Sequence, residues 1–285
     1  MIRPIALLLA ALALAASEWS PARWRDESAW AASAGAWTAT VSVERGRLVS
    51  LRHRDGGELL HVDGRPLAEL RSTRGVLGGH ISWLGPQRDW WWPPLAEWEG
   101  DPPVTVDEAD GWLEIRLAAG TDAFPPLVRR YRWRDGALLA VLAWSGQGHY
   151  AMHIVQVPLT ATVTLADDSA RTYGLPDDLY TPLAKPIDHA GIELQADGRV
   201  RVFPAATSRK HMVPPRPILS CLPWGGTLLL EAGATTGVID GLPDRGLLTQ
   251  IFTDPAATYI EIEQMSPLLA GEASAEVRLI PGLAP

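Results

Sequence analysis

Polar and apolar residues alternate along most of the chain after its N-terminal segment. WTATVSVERGRLVSLRHRDGG, at residues 37–57, shows this period of two, and it recurs at residues 112–119, 128–144 and 247–265. Such alternation is typical of strands with one buried and one solvated face. The 24 prolines and 26 glycines are spread along the chain and argue against long amphipathic helices. The pattern predicts an antiparallel all-β protein.

Turn signals separate the predicted strands. Asp55-Gly56, Asp135-Gly136 and Asp197-Gly198 lie between alternating runs and predict tight hairpins, because Asp tolerates positive φ and Gly accepts it freely. So many short strands require a barrel or stacked sheets, since one open sheet would leave unprotected edges. No linker rich in Gly, Ser or Pro divides residues 18–285, so we expect them to form a single domain.

The N-terminal segment, MIRPIALLLAALALAASEWS, has the layout of a cleavable signal peptide. Arg3 precedes an apolar run at residues 5–16, and small residues follow. The run is shorter than the roughly 20 residues that cross a bilayer. We therefore expect residues 1–17 to be a signal peptide, with no membrane span and a periplasmic or secreted location.

Composition excludes several functional classes. The formal charge is −8 and no basic cluster occurs, which argues against nucleic acid as a partner. Cys221 is the one cysteine and cannot form an internal disulfide; its apolar setting favours a small buried side chain. No phosphate-binding, dinucleotide-binding or metal-ligand motif is present, so we expect no cofactor and no metal. The oligomeric state stays open.

The segment LGGHISWLGPQRDWWWPPLAEWEG, residues 77–100, holds five of the 13 tryptophans. Its prolines exclude a regular helix or central strand, so we predict an ordered loop over residues 85–103. The rings could cap the core or line a ligand cleft. We expect most to be structural and one or two to contact ligand. The candidates are Trp90, Trp91, Trp92 and Trp98.

Two histidines and two carboxylates are candidates for chemistry. His80 follows a Gly-Gly pair, and His153 lies in the alternating run GHYAMHIVQVP. In TYIEIEQMSPL, Glu261 and Glu263 share one strand face while the isoleucines take the other. That face could be solvated or could line a cleft. The remaining histidines other than His149 are interpreted as structural.

Four further residues carry weaker signals. Lys210 lies in the predicted loop TSRKHM and could be merely solvated. Arg74 precedes a glycine and could bind a ligand hydroxyl or cap a turn. Glu97 or Glu99, combined with Glu263, is the carboxylate pair that a glycosidase would need.

Several segments together resemble a known family: RGVLGGHISWLGP, WPPLAEWEGDPP, RKH and YIEIEQMSPLLAGEASAEVRLIPG. They are similar to a bacterial domain-of-unknown-function family (DUF4380-like) of the galactose-mutarotase-like, or aldose 1-epimerase-like, superfamily. The resemblance implies a β-supersandwich of two large stacked antiparallel sheets with a sugar cleft.

The resemblance also implies site residues. Superfamily enzymes use a histidine as general acid and a late glutamate as general base, to which His153 and Glu263 correspond best. The asparagine-rich context of that histidine is absent here, so the acid could be His149, His153 or neither. The implied substrate-binding residues are His80, Arg74, Trp91, Trp92, Trp98, Glu97 and Lys210.

These features lead to one main hypothesis and two alternatives. The first is an exported carbohydrate-binding protein of mutarotase-like fold, with aldose 1-epimerase-type acid–base chemistry as the activity it could have. The second is a non-catalytic carbohydrate-binding or cell-envelope module. The third is a polysaccharide-active enzyme, such as a lyase or glycosidase, on the same fold. Whether the protein is an enzyme stays open at this point.

Overall fold

Strands dominate the fold, as the alternation predicts. The structure is a computed structural model and describes residues 18–73, 77–90, 93–100, 105–117, 124–165, 171–174, 191–196 and 199–284. The predicted signal peptide, residues 1–17, lies outside these residues. The helical elements are α1 (Leu67–Ser72) and 3-10 turns at Gln87–Asp89, Ala96–Glu99 and Pro243–Gly246. In the described part of the chain, no helix has the length and apolar character to cross a membrane.

The first four strands form an antiparallel sheet in sequence order. They are β1 (Ser20–Trp24), β2 (Glu27–Ala34), β3 (Trp37–Ser42) and β4 (Arg47–His53). The alternation in β3 is visible in its burial, since Ala39 and Val41 are fully buried and Thr38 and Thr40 are half-buried. β3 therefore presents one face to the core, whereas β4 is buried on both faces, since residues 47–51 are all buried.

The other fifteen strands are joined by hydrogen bonds into one antiparallel system. They are β5 (His80–Gly85), β6 (Thr105–Ala109), β7 (Trp112–Arg116), β8 (Val128–Arg134), β9 (Ala137–Pro158), β10 (Thr162–Leu165), β11 (Arg171–Gly174), β12 (Ile192–Leu194), β13 (Val200–Val202), β14 (Arg209–Val213), β15 (Ile218–Cys221), β16 (Gly226–Gly241), β17 (Thr249–Thr253), β18 (Tyr259–Met265) and β19 (Leu268–Leu283).

The long strand β9 divides this system into two stacked layers. The second half of β9 pairs with β5 on one side and with β18 on the other. From β18 the sheet continues through β17, β14 and β11, and these strands form the front layer. Its first half pairs with β8 and β19 in the back layer, which also holds β6, β7, β16, β15, β10, β13 and β12. The prediction of an all-β supersandwich with two large stacked antiparallel sheets is confirmed.

Asp55-Gly56 and Asp135-Gly136 lie in turns, as predicted, and Asp197-Gly198 lies outside the described residues. Asp135 and Gly136 connect β8 to β9 with φ values of 51° and 77°, as a tight hairpin requires. Gly79, before β5, has a φ of 78°, and a Cβ there would lie 2.2 Å from the Leu48 carbonyl oxygen. Only glycine fits this close approach of two backbones.

Candidate functional site

The two faces of the front layer carry different chemistry. In the pairing of β18 with β9, Gln264 lies opposite His153, and Glu263 lies opposite Ile154. Directly paired residues share a face and successive residues alternate between faces. His153 and Glu263 therefore lie on opposite faces of one sheet. An acid and a base that act on one sugar must reach the same face, so these two residues do not form the pair that the resemblance implies.

His153 is bonded between the two layers. Its Nε2 lies 3.1 Å from the carbonyl oxygen of Ala275 in the back layer. A carbonyl only accepts hydrogen bonds, so Nε2 carries a proton, and in the neutral ring Nδ1 accepts. The donor to Nδ1 is His80 Nε2, 3.1 Å away.

The chain of hydrogen bonds continues from His80. Because its Nε2 donates, its Nδ1 must accept, and the Tyr131 hydroxyl donates to it at 3.0 Å. The Tyr131 oxygen in turn accepts from the Leu48 backbone N–H at 3.4 Å. The two imidazole rings are stacked, with centroids 5.3 Å apart. Every polar atom of this interlayer chain thus has a partner when both histidines are neutral.

Burial keeps both histidines in the neutral form. It lowers the pKa of His153 to about 4, and the charge of Arg129 acts in the same direction. Burial, followed by His153 and Arg129, lowers the pKa of His80 well below its ordinary value. Each ring is 1% exposed and uses both nitrogens within the protein. The predicted ligand contact of His80 and acid role of His153 therefore do not agree with the structure.

Arg129 is a second buried polar centre between the layers that the sequence did not reveal. It is 1% exposed and donates to the Ser82 hydroxyl and carbonyl, the Gly46 carbonyl and the Trp98 carbonyl, at 2.7–2.8 Å. Burial lowers its pKa to about 10. The hydrogen bonds of its guanidinium group therefore connect the first sheet, β5 and the turn that contains Trp98.

The face of the front layer that points away from the back layer brings two predicted residues together. Lys210 Nζ lies 3.1 Å from Glu263 Oε2. Glu263 is 1% exposed, and the Lys210 side chain is 17% exposed. Burial lowers the pKa of Lys210, but the charge and hydrogen bond of Glu263 outweigh it, so the net shift is upward. Lys210 lies on β14 and not in a loop as predicted.

Glu261 lies beside this ion pair. Gln156 Nε2 donates to Glu261 Oε1 at 2.8 Å across the pairing of β9 with β18. Glu261 is half-buried and Gln156 is 1% exposed. We refer to the outward-pointing side of the front layer at these residues as the carboxylate face; it comprises Glu261, Glu263, Lys210 and Gln156. Sequence reasoning identified the shared face of the glutamates but missed Gln156, whose run has no polar alternation to mark it.

Two polar side chains border the carboxylate face. Tyr259 lies two residues before Glu261 on the same side of β18, and burial, followed by the charge of Glu261, raises its pKa. The ring of Tyr259 contacts that of His61 at a centroid distance of 5.4 Å. The arrangement offers hydroxyl, amide, carboxyl and ammonium groups, the types that bind sugar hydroxyls.

In the tryptophan-rich segment, residues 77–100, the tryptophans that the structure describes have mainly structural roles. Trp98 is fully buried, and its ring meets Trp90 and Phe124 edge-on at 5.5 and 5.2 Å. Trp90 is half-buried and donates to the Leu84 carbonyl at 2.8 Å. The prediction that Trp98 contacts substrate is therefore wrong, because its ring has no free surface.

The remaining predicted site residues divide into three groups. Glu99 accepts from Trp83 Nε1 at 2.9 Å and pairs with Arg47 at 2.5 Å, which is a structural role. Glu97 is half-buried on the turn Ala96–Glu99, and its substrate contact stays a prediction. Arg74, Trp91 and Trp92 lie outside the described residues.

Other parts of the described chain offer less for chemistry. No group of three or more His, Cys, Asp or Glu side chains in the described ranges could hold a metal ion. A groove of about 530 Å³ lies on the outer face of the back layer, between β6 and β19. Its Glu114 is paired with Arg130 at 2.6 Å and with Arg116. None of the predicted site residues lines it.

Comparisons with known proteins agree with this fold. No protein-family model matches the chain, and no curated protein sequence matches it. A provisionally named mutarotase from Salmonella typhimurium superimposes with a TM-score of 0.56 and 14% identity, covering 93% of this chain and 94% of that one.

Two further solved structures are similar over nearly the whole chain. A provisionally named aldose 1-epimerase from Escherichia coli K12 has a TM-score of 0.58 and 15% identity, covering 90% of this chain and 99% of that one. A galactose mutarotase related enzyme from Lactobacillus acidophilus has a TM-score of 0.53 and 7% identity, with coverages of 89% and 97%. The chain therefore has the fold of the galactose-mutarotase-like proteins.

Proposed function

We propose that this protein binds a carbohydrate at the carboxylate face and carries out acid–base chemistry of the aldose 1-epimerase type on it. The observation that carries the proposal is the grouping of Glu261 and Glu263 with Lys210 and Gln156 on one face of a mutarotase-like sheet. Paired carboxyl groups suit a reaction that protonates one oxygen while deprotonating another.

The reaction explains why such groups are needed. Interconversion of the two anomers of an aldose opens the ring, which requires a proton on the ring oxygen and removal of the proton from the anomeric hydroxyl. Each transfer needs a group within hydrogen-bond distance of the sugar oxygen, about 2.6–3.2 Å. Two solved structures of the same fold carry mutarotase or epimerase names, which supports this reaction class.

The experiment measures sugar binding and mutarotation separately. Tryptophan fluorescence or thermal shift with D-glucose and D-galactose reports binding, and polarimetry of the freshly dissolved α-anomers reports catalysis. We expect the wild type to speed the approach to anomeric equilibrium and the double variant Glu261→Gln/Glu263→Gln to bind without doing so. If the wild type neither binds nor converts any aldose tested, the proposal is wrong.

A second candidate function is a non-catalytic carbohydrate-binding module. One observation favours it: Glu263, the residue expected to be the base, is 1% exposed and ion-paired with Lys210. A base held in this way has little surface to offer to a sugar hydroxyl. Binding without any wild-type mutarotation in the same assay would favour this candidate.

Export and the finer family assignment are also part of the proposal. The layout of residues 1–17 supports cleavage by a signal peptidase, and the quoted sequence motifs support the DUF4380-like family. Expression with the natural N-terminus, followed by N-terminal sequencing of the periplasmic or secreted protein, tests export. A product that remains in the cytoplasm and begins at Met1 would contradict it.

A further inference from the structure

We propose that Glu261, rather than Glu263, exchanges protons with the sugar, and that it does so as a protonated carboxyl group using both of its oxygens. Glu263 is then a positioning residue. The inference rests on the proposed function, because it names the side chain through which the aldose 1-epimerase-type reaction would proceed. With Glu261 in this role, the reaction does not require a histidine on the carboxylate face as general acid.

Accessibility favours Glu261 over Glu263. Glu261 is half-buried and so retains surface on the carboxylate face, whereas Glu263 is 1% exposed. One oxygen of Glu263 is also held by the Lys210 ammonium at 3.1 Å. A residue that exchanges protons must come within hydrogen-bond distance of the sugar, and Glu261 has the surface to do so.

Gln156 assigns different roles to the two oxygens of Glu261. Its Nε2 donates to Oε1 at 2.8 Å, so Oε1 acts as an acceptor and Oε2 is the oxygen left to carry a proton. Gln156 is 1% exposed on the central strand β9, which fixes the position of its amide. The carboxyl group is therefore oriented before a sugar arrives.

Burial and the charge of Glu263 favour a protonated Glu261 near neutral pH. Burial first, and then the charge of Glu263, raise the pKa of Glu261 to about 7. The Gln156 hydrogen bond and the Lys210 charge act in the opposite direction without reversing the shift. Across the sheet, Glu261 is paired with Phe252 on β17, which adds no charge. Tyr259, two residues along β18, is neutral because its own pKa is raised.

One carboxyl group can complete the reaction because both reacting sugar oxygens are bonded to the anomeric carbon. Oε2 gives its proton to the ring oxygen, and the bond from the anomeric carbon to the ring oxygen breaks, its electrons going to that oxygen. Oε1 takes the proton of the anomeric hydroxyl, whose O–H electrons form the aldehyde C=O. The carboxyl group ends protonated on Oε1. Rotation about the C1–C2 bond and the reverse transfers then close the other anomer with no net proton change.

The test is polarimetric mutarotation of α-D-glucose and α-D-galactose between pH 5 and 9, alongside binding by fluorescence. The wild-type rate should fall as pH rises through about 7, because the active form of Glu261 is protonated. Glu261→Gln should lower the catalysed rate about 10²–10⁴-fold while sugar affinity changes little. Glu272→Gln, an exposed glutamate on β19, is the matched control and should retain the wild-type rate.

The variant Glu263→Gln separates a positioning role from a direct one. Removing its negative charge lowers the pKa of Glu261, so the falling limb of the pH profile should move to lower pH while the rate at pH 5 is largely kept. If Glu263→Gln abolishes the rate at every pH, or Glu261→Gln keeps the wild-type rate, this inference is overturned although the proposed function stands. A wild type that binds sugar without converting it would overturn both.

Discussion

His153 and Glu263 lie on opposite faces of one sheet although their strands are hydrogen-bonded neighbours. The residue opposite His153 is Gln264, one position beyond Glu263. In a strand that single position separates the interior between the layers from the outer face. Any proton donor that acts together with Glu263 must therefore reach the outer face of the front layer.

Acid should destabilise the protein through the interlayer histidines. The pKa of His153 is lowered to about 4 in the folded state. The neutral ring therefore contributes stability that is fully present above about pH 6.5 and is lost as pH falls toward 4, and this amounts to about 3 kcal/mol. Urea unfolding at pH 7.5 and 5.0 should show about 2 kcal/mol of this loss, because pH 5.0 lies about 1.5 units below the ordinary pKa of histidine. His153→Gln should lose clearly less over that range; an equal loss in both proteins would contradict this assignment.

Removal of the Tyr131 hydroxyl should leave two buried groups without a partner. Tyr131→Phe takes away the donor to His80 Nδ1 and the acceptor for the Leu48 N–H. We expect a loss of about 2 kcal/mol in the free energy of unfolding, measured by denaturant titration. Combining Tyr131→Phe with His80→Phe should cost less than the sum of the two single changes. Strict additivity would show that the hydrogen bond is absent.

Trp98 should matter for stability and not for sugar binding. Because its ring is fully buried, Trp98→Ala should lower the free energy of unfolding by about 3–5 kcal/mol. Trp224→Ala is the matched control, since that ring is 40% exposed, and should cost markedly less. Sugar affinity measured under conditions where Trp98→Ala is folded should equal that of the wild type. A selective loss of affinity would restore Trp98 to the binding site.

The ion pair of Lys210 with Glu263 should show strong coupling. Lys210→Met leaves a carboxylate that is 1% exposed without its partner and should cost about 3 kcal/mol. The double variant Lys210→Met/Glu263→Gln removes the unpaired charge and should recover a large part of that loss. The four proteins of the cycle can be compared by urea unfolding at pH 7.5. If the loss in the free energy of unfolding of the double variant equals the sum of the losses of the two single variants, Lys210 and Glu263 are not coupled.

The alternation along β18 is by itself sufficient to separate the two faces of this strand. Ile260 and Ile262 are buried toward the back layer, as expected, and Glu261 and Glu263 occupy the other side. The same reasoning failed for the second half of β9. There Ile154, Val155, Gln156 and Val157 are all buried, so both faces of the strand are covered and no alternation remains to show which face carries a given residue.

The sequence by itself determined the all-β class, the turn at Asp135-Gly136 and the common face of Glu261 and Glu263. Each of these depends on local properties, namely the two-residue period of a strand and the conformational freedom of Asp and Gly. Only the tertiary structure decided the register of β9 against β18, which puts His153 between the layers and Gln156 beside Glu261. The alternation of β18 marks its own two faces, but β9 is buried on both faces, so no pattern in β9 shows which of its residues lie opposite those of β18, about a hundred positions away.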